Sequence, residues 1–242
     1  MKIPSIEEML QAGVHFGHNV SRWHPKMKDF IFTSRNRVHV IDLEKTLGQL
    51  ETVLEEVKNM AAEGKKILFV STKPQARQIV RDAAISCEMP YLVERWLGGM
   101  LTNFAEIKKL IRKFNTMKEK QAKGELVNYT KKEQLEIARE LQDQEKTLAG
   151  LSGLTKRPDV IFVPSVQKEK TAIVEANRLN IPIVGVCDTN ANPTKIDYVI
   201  AANDDAVKSI ELIVKLVAAA VKEGNEIFVK KQKTVATTAE KK

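Results

Sequence analysis

The stretch KKILFVS, residues 65–71, carries the clearest structural signal in the amino-acid sequence. Its apolar centre lies between polar residues, a pattern typical of a short strand in a parallel sheet that is covered on both faces. Thr72 and Pro74 follow directly and are typical of the start of a helix. This part of the chain is therefore predicted to be a β-strand that leads into an α-helix.

The alternation of strand and helix continues in both directions from this stretch. Before it, Asp42 caps a predicted long helix that ends at Gly64. After it, strands are predicted at residues 159–163, 181–187 and 198–200, and helices at residues 168–179 and 204–222. Alternating units of this kind predict a doubly wound, three-layer α/β fold with a parallel sheet, of the Rossmann or flavodoxin type.

Residues 103–150 interrupt this alternation and are predicted to form two helices joined at residues 124–129. In the first of them, apolar side chains recur three and four positions apart, at Phe104, Ile107, Ile111 and Phe114. This spacing predicts a protruding antiparallel α-helical hairpin that is paired as a coiled coil. The predicted organisation is the first part of the α/β domain with an N-terminal helix and a basic loop (1–102), the hairpin (103–150), the second part of the α/β domain (151–223) and a disordered basic tail (224–242).

The composition favours a polyanionic partner. The chain has 242 residues, with 39 Lys and Arg against 31 Asp and Glu, and a formal net charge of +8. Such an excess favours nucleic acid or an anionic membrane surface. The sequence shows neither a long apolar run nor a signal-peptide pattern at its N-terminus, so we expect no membrane segment and a cytoplasmic protein. Cys87 and Cys187 are expected to be buried, unpaired thiols.

The sequence does not favour an enzyme. The loop after the first strand, residues 71–75, contains no glycine, so it forms neither a P-loop nor a dinucleotide fingerprint. A nucleophile elbow is also missing. We therefore expect no catalytic residues, no cofactor and no small-molecule substrate. The alternative is a nucleotide- or sugar-phosphate-binding enzyme of the same architecture, with its ligand at the strand ends near Ser71 and Asp188.

Two groups of residues raise the question of a metal ion. Four histidines, His15, His18, His24 and His39, lie within one short stretch. Asp188, Asp204 and Asp205 follow predicted strands and are able to converge at one edge of the sheet. The favoured interpretation is hydrogen-bonding or RNA-facing histidines, with Asp204 and Asp205 as helix-capping residues. No metal is assigned, although the sequence leaves this alternative open for both groups.

Basic residues interleaved with aromatic ones are the strongest functional signal. Guanidinium and ammonium groups pair with phosphates, and flat rings stack on unpaired bases, so this mixture is typical of RNA-binding loops. The candidate RNA-binding residues are Arg22, Trp23, Lys26, Lys28, Arg35, Arg37, Arg95, Trp96, Lys108, Lys109, Arg112 and Lys113. Phe30 and Phe32 are interpreted as core residues instead. The two tryptophans are alternatively core anchors, and the four basic residues of the hairpin are alternatively a solvated face.

Several motifs resemble the bacterial ribosomal protein S2 family. They are AGVHFGHNVSRWHPKMKDFIF (12–32), RNRVHVIDLEKTL (35–47), RWLGGMLTNF (95–104), DTNANPTKIDYVI (188–200) and NDDAVKSI (203–210). The resemblance covers residues 5–221 in the order and spacing of the family. Residues 71–74 and 164–167 depart from the family pattern.

The resemblance implies a structural protein without catalytic activity. It implies a doubly wound α/β body with a helical hairpin, located in the cytoplasm on the small ribosomal subunit between head and body. The partners implied are small-subunit ribosomal RNA and neighbouring ribosomal proteins, including ribosomal protein S1, for which the family provides the docking place in translation.

Overall fold

The computed structural model describes the backbone of residues 3–239 and their side chains except those of residues 127, 128 and 233–239. The N-terminal part forms a short helix and a three-stranded antiparallel sheet of order β1-β3-β2. Its elements are α1 (Ile6–Ala12), β1 (Phe16–Asn19), β2 (Ile31–Arg35) and β3 (Val38–Ile41). Two short 3-10 segments, Val20–Arg22 and Pro25–Phe30, join β1 to β2. Strands β2 and β3 form a β-hairpin directly before α2, and the basic loop preceding it contributes the third strand.

The remaining elements build a five-stranded sheet with helices around it. They are α2 (Leu43–Ala62), β4 (Ile67–Val70), α3 (Pro74–Ser86), β5 (Tyr91–Leu92), α4 (Phe104–Ala122), α5 (Lys131–Leu148), β6 (Val160–Val163), α6 (Lys170–Arg178), β7 (Ile183–Cys187), β8 (Tyr198–Ala201) and α7 (Val207–Ala239). All neighbouring strands are parallel, in the order β5-β4-β6-β7-β8. This order is that of flavodoxin-like doubly wound sheets, with a topological switch point between β4 and β6. The predicted parallel α/β fold is confirmed.

Side chains of the central strands alternate between two apolar cores. In β4, Ile67 and Phe69 belong to the core shared with α2, α3 and α7, whereas Leu68 and Val70 belong to the core on the opposite face, shared with α4 and α6. Every residue of β4 is buried. This explains the continuous apolar run in the sequence, because both faces of the sheet are covered. Within residues 3–239, no helix is long and apolar enough to cross a membrane.

Helices α4 and α5 are present, but an antiparallel coiled coil between them is not confirmed. Ile107, Ile111 and Phe114 are buried in the same apolar core as the sheet. These side chains therefore do not pack against α5 alone. Two ion pairs of exposed side chains join the helices, Lys113–Glu140 at 4.0 Å and Lys118–Glu145 at 2.5 Å.

The C-terminal segment differs from the predicted disordered tail. Helix α7 continues through Gly224 to Ala239, and residues 240–242 lie outside the described part. Gly224 allows α7 to approach α2 closely, because an added Cβ there would lie 2.6 Å from the Cβ of Ala61. Next to it, Asn225 Nδ2 donates to the carbonyl of Cys87 at 3.0 Å, so a tertiary contact holds the start of the extension.

Candidate nucleic-acid interface

The β2–β3 hairpin presents two arginines on a strained turn. Arg35 pairs with Val38 across a two-residue loop whose members, Asn36 and Arg37, have φ angles of 51° and 62°. These values define a type I′ turn, in which Asn-Gly is the preferred sequence. Arg37 therefore occupies a position that favours glycine. Arg35 and Arg37 are both exposed, and neither forms an ion pair within residues 3–239. Arg37 therefore combines a strained backbone with a positive charge that has no acidic partner in the described chain.

An Arg37→Gly variant is expected to be more stable than the wild type by about 1 kcal/mol, because glycine adopts the left-handed conformation without a steric penalty. Urea denaturation of both proteins measures this difference. Arg35→Gly serves as the control: glycine within a strand is expected to cost roughly 0.5–1 kcal/mol. An Arg37→Gly protein no more stable than the wild type would contradict the claim that the backbone of Arg37 is strained in this turn.

The 3-10 segments beside the hairpin continue the basic surface. Arg22, Lys26 and Lys28 are exposed, and none of them forms an ion pair in the described part of the chain. Trp23 is half-buried, with its ring centroid 5.4 Å from that of His39. Phe32 is 74% exposed, so its interpretation as a core residue is wrong. We call the exposed cations Arg22, Lys26, Lys28, Arg35 and Arg37, together with Phe32, the N-terminal basic surface.

The RWLGGMLTNF loop is held by a buried carboxylate that sequence reasoning missed. Glu175 Oε1 accepts from Trp96 Nε1 and from the backbone N–H of Gly99, both at 2.9 Å. Its Oε2 accepts from the backbone N–H groups of Leu101 (3.0 Å) and Thr102 (3.3 Å), and from the Thr102 hydroxyl at 3.2 Å. Burial alone would raise the pKa of Glu175, but these hydrogen bonds hold it below its usual value.

The contacts of Glu175 distinguish Trp96 from Arg95, the two candidate RNA-binding residues of this loop. Trp96 is tethered to Glu175 and packs against the apolar core, which agrees with its alternative interpretation as a core anchor. Arg95 is exposed and forms no ion pair in the described chain. Glu175 carries no signal in the sequence, because it resembles an ordinary polar residue on a helix.

The basic residues of α4 are partly neutralised by nearby acids. Lys109 Nζ lies 2.7 Å from Glu106, and Lys113 Nζ lies 4.0 Å from Glu140. Arg112 is exposed and Lys108 is half-buried. This face therefore offers less free positive charge than the N-terminal basic surface, although all four cations lie on one helix.

A polar cluster lies where the small sheet meets the carboxyl ends of the parallel strands. His18 comes from β1, Asp188 follows β7, and Asp204 and Asp205 follow β8. His18 Nδ1 is 3.0 Å from Asp188 Oδ1, and its Nε2 is 3.3 Å from Asp205 Oδ2. Lys73, which follows β4, contacts Asp204 Oδ1 at 3.0 Å and Asp205 Oδ1 at 2.7 Å. We call these five residues the strand-end cluster.

Electrostatic effects within the strand-end cluster follow from burial and from opposite charges. The hydrogen bond with Asp188 raises the pKa of His18 despite partial burial. Burial, together with the neighbouring charge of Asp188, raises the pKa of Asp204. Burial would lower the pKa of Lys73, but contacts with Asp205 and Asp204 raise it overall. The pKa of each of these three groups therefore depends on the charges of its neighbours in the strand-end cluster.

The aspartates converge as the strand order allows, but they are not helix caps. Asp204 Oδ2 accepts from the hydroxyl of Ser165 at 2.6 Å, and its other oxygen faces Lys73. Asn203 Oδ1 instead accepts the backbone N–H groups of Asp205 (2.9 Å) and Ala206 (2.6 Å) before α7. The interpretation of Asp204 and Asp205 as capping residues is thus wrong.

The other histidines have different roles. His24 Nδ1 accepts the backbone N–H of Lys26 at 3.2 Å and starts a 3-10 segment. His15 stacks on Phe16 with ring centroids 4.0 Å apart, and burial lowers its pKa. His39 is buried beside Trp23. Among the described histidines, His18 alone joins carboxylates.

Hydrogen bonds fix the small sheet to the loops that follow β7 and β8. The N–H of His18 donates to Thr189 Oγ1 at 2.8 Å, and that of His24 donates to the carbonyl of Thr189 at 2.7 Å. Asn203 Nδ2 donates to the carbonyl of Phe16 at 2.5 Å. A Cβ on Gly17 would lie 2.6 Å from Thr189 Cγ2, so this close approach requires glycine. The N-terminal basic surface therefore has a rigid support.

The thiols are not candidates for catalysis. Cys87 and Cys187 are free and buried, as predicted. Burial raises the pKa of Cys87 to about 11 and raises that of Cys187 as well. Thiols of this kind remain protonated near neutral pH and are poor nucleophiles.

Comparison with known proteins gives the family. The family model described as Ribosomal protein S2 matches residues 9–224. A protein of Parabacteroides distasonis named small ribosomal subunit protein uS2 is 49% identical over 91% of this chain and 79% of its own length. Proteins of the same name from Bacteroides fragilis and Porphyromonas gingivalis are each 47% identical, over 93% and 91% of this chain and 81% and 78% of their own lengths. The chain belongs to the ribosomal protein S2 family.

Proposed function

We propose that this protein is a structural component of the small ribosomal subunit in the cytoplasm, and that its N-terminal basic surface holds ribosomal RNA. The observation that carries the proposal is a group of five exposed cations without acidic partners in the described chain, next to an exposed phenylalanine. Phosphates pair with such cations, and an unpaired base stacks on such a ring. Family membership and the printed names of the relatives support the ribosomal location.

Other parts of the molecule contribute less to this proposed contact. Arg95 adds a free charge from the loop that Glu175 holds. Arg112 and Lys108 on α4 add to a phosphate-facing surface if α4 and α5 project toward RNA as a hairpin. The contacts are proposed to be non-specific in sequence, because flexible cations directed at phosphates carry no base readout.

The proposed protein partners are neighbouring small-subunit proteins, including ribosomal protein S1, with the chain between head and body. A catalytic role is not proposed. Nucleotides and sugar phosphates are commonly held at the strand ends by a free cation or by the backbone N–H groups of a glycine-rich loop, and residues 71–75 contain no glycine. Lys73 there is engaged with Asp204 and Asp205, and the three carboxylates of the strand-end cluster repel phosphate.

The RNA contact is tested by replacing Arg22, Lys26, Arg35 and Arg37 together with alanine. Incorporation into small subunits lacking this protein is expected to weaken at least about tenfold at physiological salt. The slope of log affinity against log salt is expected to fall by about 3 to 4, close to 0.9 for each lost phosphate contact. Reconstitution followed by sedimentation at several salt concentrations measures both quantities.

A matched control removes the same number of charges from lysines that already have acidic partners: Lys65, Lys146, Lys156 and Lys215. This control variant is expected to incorporate almost like the wild type, because its lysines are engaged locally. Equal losses in the two variants would show that overall charge, rather than the N-terminal basic surface, governs binding.

A further inference from the structure

We propose that a cleft at the carboxyl ends of β4, β5 and β6 binds one nucleotide unit. Its phosphate is held by Arg95 and Lys168, and its base lies against the ring of Trp96. The unit comes either from a single-stranded stretch of RNA or from a free mononucleotide, because both present the same phosphate and base. The proposal goes beyond the RNA contact of the N-terminal basic surface, and no residue of that surface lines the cleft.

The position of the cleft in the fold favours a ligand. Strands β4 and β6 are neighbours, but the helix after β4 packs into one apolar core and the helix after β6 into the opposite one. The two connections therefore diverge and leave a crevice, which is where doubly wound sheets bind ligands. Its volume is about 420 Å³, within the range of roughly 300–1,000 Å³ typical of small-ligand sites. Neither Ser71 nor Asp188 lines it, and the role proposed is binding without catalysis.

Both carboxylates in the lining of the cleft already have donors from the protein. Arg77 Nη1 donates to Glu94 Oε2 at 2.9 Å. Glu169 Oε1 accepts from the backbone N–H of Thr72 at 2.5 Å and from its hydroxyl at 2.7 Å. Because these contacts hold the carboxylates and partly compensate their charge, Glu94 and Glu169 oppose an incoming phosphate less than free carboxylates would.

Two cations in the lining remain available for a phosphate. Arg95 and Lys168 are exposed, and within the described residues neither side chain forms an ion pair or a hydrogen bond. Three cations and two carboxylates line the cleft, so its formal net charge is +1. A guanidinium group offers two parallel N–H donors to a phosphate, and an ammonium group adds a point charge. The hydroxyl of Thr171, also in the lining, is a further donor.

The indole ring of Trp96 distinguishes a nucleotide from other phosphates. Its Nε1–H donates to Glu175 at 2.9 Å, and the ring packs against the apolar core, so its orientation is fixed. The ring is nevertheless only half-buried and contributes to the wall of the cleft. A base stacks favourably on an aromatic ring that is already ordered, because little conformational entropy is lost. A sugar phosphate without a base makes no such contact.

The test is a calorimetric titration of the full-length protein with adenosine monophosphate, adenosine, ribose phosphate or a single-stranded adenylate tetranucleotide. Adenosine and ribose phosphate are each expected to bind at least about tenfold more weakly than adenosine monophosphate, because each lacks one of the two contacts. A tetranucleotide that binds at least about tenfold more tightly supports RNA as the source, and equal affinities support a free mononucleotide. Absence of saturable binding by both adenosine monophosphate and the tetranucleotide would overturn the proposal.

Two variants assign the binding to the cleft. Arg95→Gln and Lys168→Gln are each expected to weaken binding of adenosine monophosphate about tenfold, because each removes a charged donor to the phosphate. Lys170→Gln is the matched control: this exposed lysine is two positions from Lys168 but outside the lining, and its loss is expected to leave the affinity unchanged. Equal losses in Lys168→Gln and Lys170→Gln would overturn the assignment. Circular dichroism checks that all variants fold.

The variant that lacks four cations of the N-terminal basic surface separates this proposal from the proposed function. It is expected to bind adenosine monophosphate like the wild type, because none of the four replaced residues lines the cleft. Conversely, Lys168→Gln is expected to keep the salt dependence of the N-terminal basic surface. If the four-alanine variant loses the nucleotide while Lys168→Gln retains it, the nucleotide lies on the N-terminal basic surface and the proposal for the cleft is overturned.

Discussion

A Glu175→Ala variant is expected to lose about 3–5 kcal/mol of unfolding free energy, since five donors lose one buried charged acceptor. Glu175 is only 9% exposed, so water replaces these hydrogen bonds incompletely. Urea denaturation followed by circular dichroism measures the loss. Glu55→Ala, which removes an exposed carboxylate from α2, is the matched control and is expected to change stability by less than about 0.5 kcal/mol.

The pH dependence of this effect has a defined direction. The pKa of Glu175 is lowered in the folded protein, so its stabilisation is complete above the ordinary value of 4.5 and is lost as pH falls through the folded-state pKa. The difference between wild type and Glu175→Ala is therefore expected to shrink in acid. A difference that grows below pH 4.5 would contradict the proposed anionic role of this side chain.

A Gly224→Val variant is expected to lose about 3 kcal/mol, because the new side chain meets the backbone of α2 rather than a movable side chain. An added Cβ would lie 3.0 Å from the backbone nitrogen of Ala62, so the two helices must separate. Chemical denaturation gives the stability change.

The control for this substitution is Gly48→Val, also within a helix. Gly48 has no heavy atom within 4 Å of an added Cβ, and it lies on the exposed side of α2. Valine there is expected to leave stability unchanged within about 0.5 kcal/mol, because its helix propensity is slightly better than that of glycine. Similar losses at both positions would mean that the helix approach at Gly224 is not the cause.

The sheet was predictable because each central strand is short, apolar and buried on both faces. The runs containing Ile67 and Ile161 therefore stood out without any tertiary information. The continuation of α7 beyond Gly224 could not be predicted, because glycine ends many helices but also permits close helix packing. The coiled-coil pairing of α4 was not predictable either. The spacing of Ile107, Ile111 and Phe114 indicates an apolar face but does not show which partner covers it.

The candidate sites were predictable to a smaller extent. The charges of Arg35 and Arg37 were visible in the sequence, whereas the backbone strain at Arg37 required the turn geometry. The convergence of Asp188 and Asp204 followed from the rule that parallel strands end at one edge. The approach of His18 to them did not, because His18 belongs to a separate antiparallel sheet whose docking depends on the close packing of Gly17 against Thr189.

The attachment of β1 to the loops after β7 and β8 has a consequence for the order of events during synthesis. A nascent chain emerges from its N-terminus, and domains generally fold as units as they appear. Thr189 and Asn203 are made more than 150 residues after Phe16 and His18, which they hold. The arginines of the hairpin therefore emerge early but are held in their final orientation only when residues 189–203 have left the tunnel. A newly made copy thus becomes competent for assembly only after that later segment has emerged.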